Sequence, residues 1–154
     1  MESRRNQAIQ FFKEGYNCAQ AVVLAHSDLL GMEKEQLLKV SQSFGGGMGR
    51  MRQVCGTVSA MLMVAGLLTG SANPKDLENK KENYDMVQRL AAAFEKKNGS
   101  IICRQLLGLE TKQSSVGAEY REGTTPEPRT EEYYKKRPCT ELIGDACDIL
   151  AEHF

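Results

Sequence analysis

No charge of either sign dominates this sequence: 20 basic residues face 20 acidic ones over 154 positions. Zero net charge excludes the electrostatic footprint of a nucleic-acid binder or a polybasic membrane clamp. A long hydrophobic run is also lacking. The longest apolar stretch, Val54 to Leu68, spans 15 residues and is interrupted by Gly, Thr and Ser, whereas a spanning helix needs about 20. Behind Arg4 and Arg5 there is no apolar segment of the kind a secretory signal carries, so a cytoplasmic location is expected. No internal repeat and no convincing period-two alternation occur. The length suits one domain with a real core, taken here as residues 1–154.

What the sequence does have is helical periodicity, so the expected fold is all-α: a single-domain helical bundle around a central apolar helix. A first helix carries Ala8, Ile9 and Phe12 and stops at Gly15. Asn17 caps a second, with Cys18, Ala21, Val22, Ala25 and Leu29 on its stripe and Gly31 at its end. A third runs from about Glu33 to Ser43. The stretch Phe44-Gly45-Gly46-Gly47-Met48-Gly49-Arg50 holds too much glycine for a helix and is expected to be a tight corner with several positive-φ positions. The central helix is expected over about 51–68. Asn73-Pro74 reads as the start of a fifth helix, with Leu77, Tyr84, Val87, Leu90, Ala91 and Phe94 inward and a stop at Gly99. Ser100 is expected to cap a short helix over 101–107. Residues 110–131 read as a polar loop and candidate lid, and Pro138 opens a last helix bearing Cys139, Leu142, Ile143, Ala146, Cys147 and Leu150.

Five cysteines, an odd number without a secretion signal, point to reduced thiols and to metal or redox chemistry. Cys18, Cys103 and Cys139 fall in expected first turns and Cys55 within about a turn of one. At these positions free N–H groups and the macrodipole favour a thiolate. All four lie on apolar stripes, so at least two sulfurs should meet, with Cys55 among them as the most activated. Cys147, eight residues past Cys139 and thus about 12 Å along a helix, should stand apart in the core. Arg50 and Arg52 cluster near Cys55 as stabilisers of a thiolate or small anion. The glycine run lacks the G-K-[S/T] ending of a phosphate loop. There is no C-x-x-C and no C-x-x-C-H, and of the two histidines His26 reads as a partly exposed helix residue and His153 as a frayed one.

The residues alone leave three functions open. One is thiol-disulfide or electron-transfer chemistry at Cys18, Cys55, Cys103 and Cys139, with a redox partner the sequence does not name. The second is an iron–sulfur cluster or another soft metal held by the same four. The third is a non-catalytic helical interaction domain whose cysteines only pack. Apolar helix content also allows a homodimer.

The segments Gly15-Tyr16-Asn17-Cys18-Ala19-Gln20-Ala21-Val22, Phe44 to Arg50, Cys55-Gly56-Thr57-Val58-Ser59-Ala60, Cys103-Arg104-Gln105-Leu106-Leu107-Gly108 and Cys139-Thr140-Glu141-Leu142 resemble, in order and spacing, the C_GCAxxG_C_C family of small proteins described as redox-active. Thr57 stands where the family pattern has Ala, and Ala60 where it has Gly. The resemblance implies redox activity at Cys18, Cys55, Cys103 and Cys139 and leaves Cys147 as an extra. A similar domain resembles the N-terminal part of split-Soret cytochromes, which bind haem and an iron–sulfur centre. Without a haem-attachment motif, only the cluster carries over.

Overall fold

The computed structural model describes residues 1–109 and 123–154, so most of the 110–131 segment lies outside the described residues. Its helices are α1 (Arg5–Lys13), α2 (Cys18–Ala25), α3 (Lys34–Gln42), α4 (Gly56–Thr69), α5 (Leu77–Asn98), α6 (Cys103–Leu106), α7 (Glu131–Lys136) and α8 (Cys139–His153). The fold is all-α, and its one β feature among the described residues is an isolated antiparallel bridge between Val54 and Ile102. None of these helices is long and apolar enough to cross a membrane.

Helix α4 is central as expected, packing on α2, α5 and α8, while α1 lies across α8 and α2. Its Val58, Ala60, Met61, Val64 and Ala65 are buried together with Val22, Leu90, Phe94, Ile143 and Leu150. Small residues on α2 and α4 (Ala19, Ala21, Ala60 and Ala65) are fully or almost fully buried. Short side chains let helix axes approach closely, which brings the starts of those helices together.

Several boundaries differ from expectation. The central helix begins at Gly56. Residues before it cannot continue it backwards, because Arg52 has φ +58° and Cys55 is extended. The Cys55 N–H donates to the Ile101 carbonyl at 2.8 Å, and the Cys103 N–H donates to Gln53 at 2.6 Å. That ladder also starts α6 at Cys103, with Ile101 and Ile102 outside it. Asn73-Pro74 forms a turn in which Asn73 accepts from the Lys75 N–H, and Asp76 caps α5 by accepting from the Asn79 N–H. Leu77 and Tyr84 face solvent at 69% and 58% exposure. Helix α2 ends at Ala25, and a 3-10 turn over Ser27–Leu29 leaves Leu29 exposed.

Both histidines also differ. His26 is fully buried, with Nδ1 2.8 Å from the Val22 carbonyl, and burial lowers its pKa. His153 is the last residue of α8 and partly buried, its Nδ1 2.8 Å from the Ile149 carbonyl.

Candidate functional site

Each of four cysteines occupies a helix start. Cys18, Cys103 and Cys139 are the first residues of α2, α6 and α8, and Cys55 is the N-cap of α4. At Cys18 the reason is local. The Asn17 side chain accepts from the Gln20 N–H at 2.9 Å, while the Gln20 side chain accepts from the Asn17 N–H at 3.1 Å. This capping box fixes where α2 begins and hence where Cys18 points. The Asn17 Nδ2 also donates to the Gln42 carbonyl at 3.0 Å, tying that start to the end of α3.

The glycine run supplies the floor. Gly46, Gly47, Met48, Gly49 and Arg50 have φ of +67°, +70°, +71°, +60° and +66°, a left-handed turn in the chain. Left-handed backbone costs an ordinary residue about 1–2 kcal/mol, so Met48, Arg50 and Arg52 are strained unless their surroundings hold them. Hydrogen bonds do so, from the Arg50 N–H to Gly45, Arg52 to Gly46 and Gln53 to Gly47. Gly47 must lack a side chain for a second reason: a Cβ there would fall 2.7 Å from the Cys103 Cβ. The turn therefore lets the segment carrying Cys103 lie directly against it.

Cys18, Cys55, Cys103 and Cys139 all line one cavity of about 50 Å³, closed by Phe12, Thr57, Leu106, Tyr133 and Leu142 among others. Cys18 and Cys139 are half-buried, whereas Cys55 and Cys103 are buried. Cys147 stands apart in the apolar core, as expected. Arg52, only 5% exposed, reaches the cavity and donates from Nη1 to the Cys103 sulfur at 3.6 Å. Arg50 does not line this cavity. It bonds the Thr125 carbonyl and lies 3.8 Å from Glu127.

Electrostatics reverse one expectation. Burial pushes the Cys55 thiol well above the ordinary range, and the neighbouring Cys18 and Cys103 sulfurs push it further. The nearby Thr57 hydroxyl and N–H pull the other way and do not win. Burial raises Cys103 as well, against the opposing pull of Arg52. Cys139 is pushed up to about 12 by burial and by the Cys18 and Cys103 sulfurs. Cys55 is thus the least exposed of the four cavity cysteines rather than the most activated. Desolvation in the middle of the bundle outweighs the partial charge at a helix start.

Cysteines from four helix starts, a glycine turn and the intervening ladder form one unit, and the same order of segments is what a family model reads. The model described as "Putative redox-active protein (C_GCAxxG_C_C)" matches residues 16–153. The chain belongs to this family. No curated protein and no solved structure matches it. Within this C_GCAxxG_C_C protein the substitution of Thr57 places a fully buried hydroxyl beside Cys55.

Three residues of the site escape the cysteine pattern: Arg129, Tyr133 and Arg137, all lining the cavity. Arg129 lies over the Phe12 ring, 4.4 Å from its centroid, and donates to the Phe12 and Tyr16 carbonyls at 2.9 and 3.0 Å. Tyr133 and Arg137 come from α7 and the residue after it. Thr130 caps that helix by accepting from the Tyr133 N–H, acids fill its first turn and lysines its last. Those end signals were available in the sequence, inside a stretch otherwise polar enough to read as loop.

Proposed function

We propose that this C_GCAxxG_C_C protein carries out thiol-disulfide exchange in the cytoplasm, with Cys18 as the attacking sulfur and Cys55 as the resolving one. The supporting observation is the shared cavity of Cys18, Cys55, Cys103 and Cys139, with one sulfur of the pair partly open and the other enclosed. The co-reactant is a disulfide. The Cys18 thiolate attacks it, forms a mixed disulfide and displaces one thiolate, which takes up the proton Cys18 gave to solvent. The Cys55 thiolate then attacks the Cys18 sulfur, leaving a Cys18–Cys55 disulfide and releasing the second half of the partner as a thiol. The partner gains two electrons and two protons, and the cysteine pair loses them.

Burial and the neighbouring sulfurs keep Cys55 protonated in the resting pair. Once Cys18 is in a mixed disulfide its charge is gone, and one of the causes that raise Cys55 goes with it. Burial, the larger cause, remains, so the Cys55 proton passes to the departing thiolate as the new sulfur–sulfur bond forms. The four sulfurs are also a soft donor set suited to a cluster. Among the described residues, however, no three Cys, His, Asp or Glu side chains converge closely enough to hold a metal ion. The exchange reading has more support.

The experiment is oxidation by excess small disulfide, an acid quench and peptide mapping. The expected product links Cys18 to Cys55, and Cys18→Ser abolishes it. Five free thiols after prolonged oxidation would overturn the proposal, as would iron and sulfide in proportion in protein purified without air.

A further inference from the structure

Beside the sulfur cavity lies a second hollow of about 250 Å³, reached past shared walls formed by Asn17, Gly46, Arg52, Arg129, Tyr133 and Arg137. From the geometry of these walls we infer that the hollow binds the anionic group, a carboxylate or phosphate, of a low-molecular-weight disulfide whose sulfurs reach Cys18. This substrate class rests on the thiol-exchange reading above.

Arg129 anchors the hollow. It is partly buried, and its Nη1 and Nη2 donate to the carbonyls of Phe12 and Tyr16 and to the Tyr134 hydroxyl. These neutral acceptors hold the guanidinium in place without cancelling its charge. Three of its five N–H groups are engaged, leaving two for a further acceptor. Its Cζ lies 4.4 and 5.1 Å from the ring centroids of Phe12 and Tyr133, cation–π contacts that further hold the guanidinium in place. A guanidinium held rigid by neutral groups at the edge of a hollow is preorganised for an oxyanion. No carboxylate pairs with Arg129 among the described residues.

The other charged side chains on the described walls are Arg50, Arg52 and Arg137 against Glu127. Arg137, the residue before Pro138 and Cys139, bonds Glu127, the one acidic side chain among the described residues lining the hollow. Arg50 and Arg52, on the left-handed turn, also line the hollow, and Arg50 lies 3.8 Å from the same Glu127. The Arg52 contact to the Cys103 sulfur marks where the hollow passes into the sulfur cavity. A negative group seated against Arg129 would therefore place the rest of the molecule at Cys18, the half-buried sulfur next to Asn17.

The test compares three disulfides on the full chain. They are dithiobis(nitrobenzoate), which is anionic, dithiodipyridine, which is neutral, and cystamine, which is cationic. Each rate is divided by that of N-acetylcysteinamide with the same reagent. A normalised preference of about tenfold for the anionic over the neutral reagent is expected in low salt. It should fall as salt rises from about 20 to about 300 mM, where screening sets in. Arg129→Gln should erase the preference, and Arg129→Lys should restore part of it. If Arg129→Gln fails to fold, the salt series on the unaltered protein still decides. Equal normalised rates for all three reagents would overturn this inference and leave the exchange reading standing. Failure of Cys18 to react with any of them would overturn both.

Discussion

The Cys18 sulfur rests against the α-carbon of Gly56, so closely that a Cβ at position 56 would lie 2.7 Å from it. The same added carbon would sit 2.5 Å from the Phe44 carbonyl oxygen. Gly56 is the first residue of α4, where alanine would otherwise favour helix by about 1 kcal/mol. The two contacts oppose that gain, and the carbonyl belongs to backbone that cannot rotate away. Gly56→Ala is therefore expected to be destabilising, by about 1–3 kcal/mol as in other overpacked interiors. A lower urea midpoint at unchanged slope would show the cost. Faster alkylation of Cys18 would show that its sulfur has been displaced outward.

Asn17 offers a second handle on the same sulfur. Its side chain caps α2, bonds the end of α3 and presses on Gly45. Asn17→Ala removes the cap and leaves the Gln20 N–H and the Gln42 carbonyl without their side-chain partner. Loss of a cap costs about 1 kcal/mol. The expected result is a corresponding fall in stability, together with a change in the Cys18 reaction rate. Asn17→Asp should recover only the cap's share of the stability, because a carboxylate accepts at a helix N-terminus but cannot donate to the Gln42 carbonyl.

The parts of the site that the sequence made readable are those fixed by local chemistry. Asn17 with Gln20, Gly99 after two lysines, and Pro138 before Cys139 each mark a helix end within a few residues. Those marks sufficed to put three cysteines at helix starts. Cys55 was harder, because the apolar run already begins at Val54 and nothing in its composition reveals that residues 51–55 stay outside the helix, with Arg52 in left-handed backbone. Their conformation depends on pairing with residues 101–104, a contact between segments about 50 positions apart. Burial was equally non-local. Helix N-termini favour thiolates, whereas the enclosed cavity built by other helices raises Cys55, Cys103 and Cys139. His26 shows the same effect, since its enclosure comes from neighbours that its own helix does not specify.

Raised thiol pKa values have a consequence for stability. The folded state favours the protonated form of Cys55, Cys103, Cys139 and Cys147, whereas unfolded thiols titrate near 9.0. The unfolded chain therefore loses protons first as pH rises. Below about pH 9 the stabilisation is fully present, and it declines between there and the folded value of about 12 for Cys139. Urea midpoints should hold steady from neutral pH to about 9 and then fall. Cys139→Ser should make the alkaline fall shallower, because one of the responsible groups is gone. A midpoint that rises above pH 9 would contradict the direction of these shifts.

Cys147 provides the contrast that separates packing from chemistry. It is fully buried in α8 among Ile143, Leu150 and the rest of the core, and it does not line the sulfur cavity. Burial pushes its thiol up to about 12, so it is protonated and enclosed at neutral pH. Cys147→Ala removes one buried sulfur and leaves a small void, which costs about 1 kcal/mol in a tightly packed interior. The exchange rate of Cys18 and the mapped Cys18–Cys55 product should be unaltered. Cys18→Ser has the opposite signature: little change in the urea midpoint and loss of the exchange reaction. Running the two variants side by side distinguishes the proposed chemistry from a purely structural set of cysteines. In the structural case both substitutions would lower stability, and neither would change thiol reactivity beyond the loss of one group.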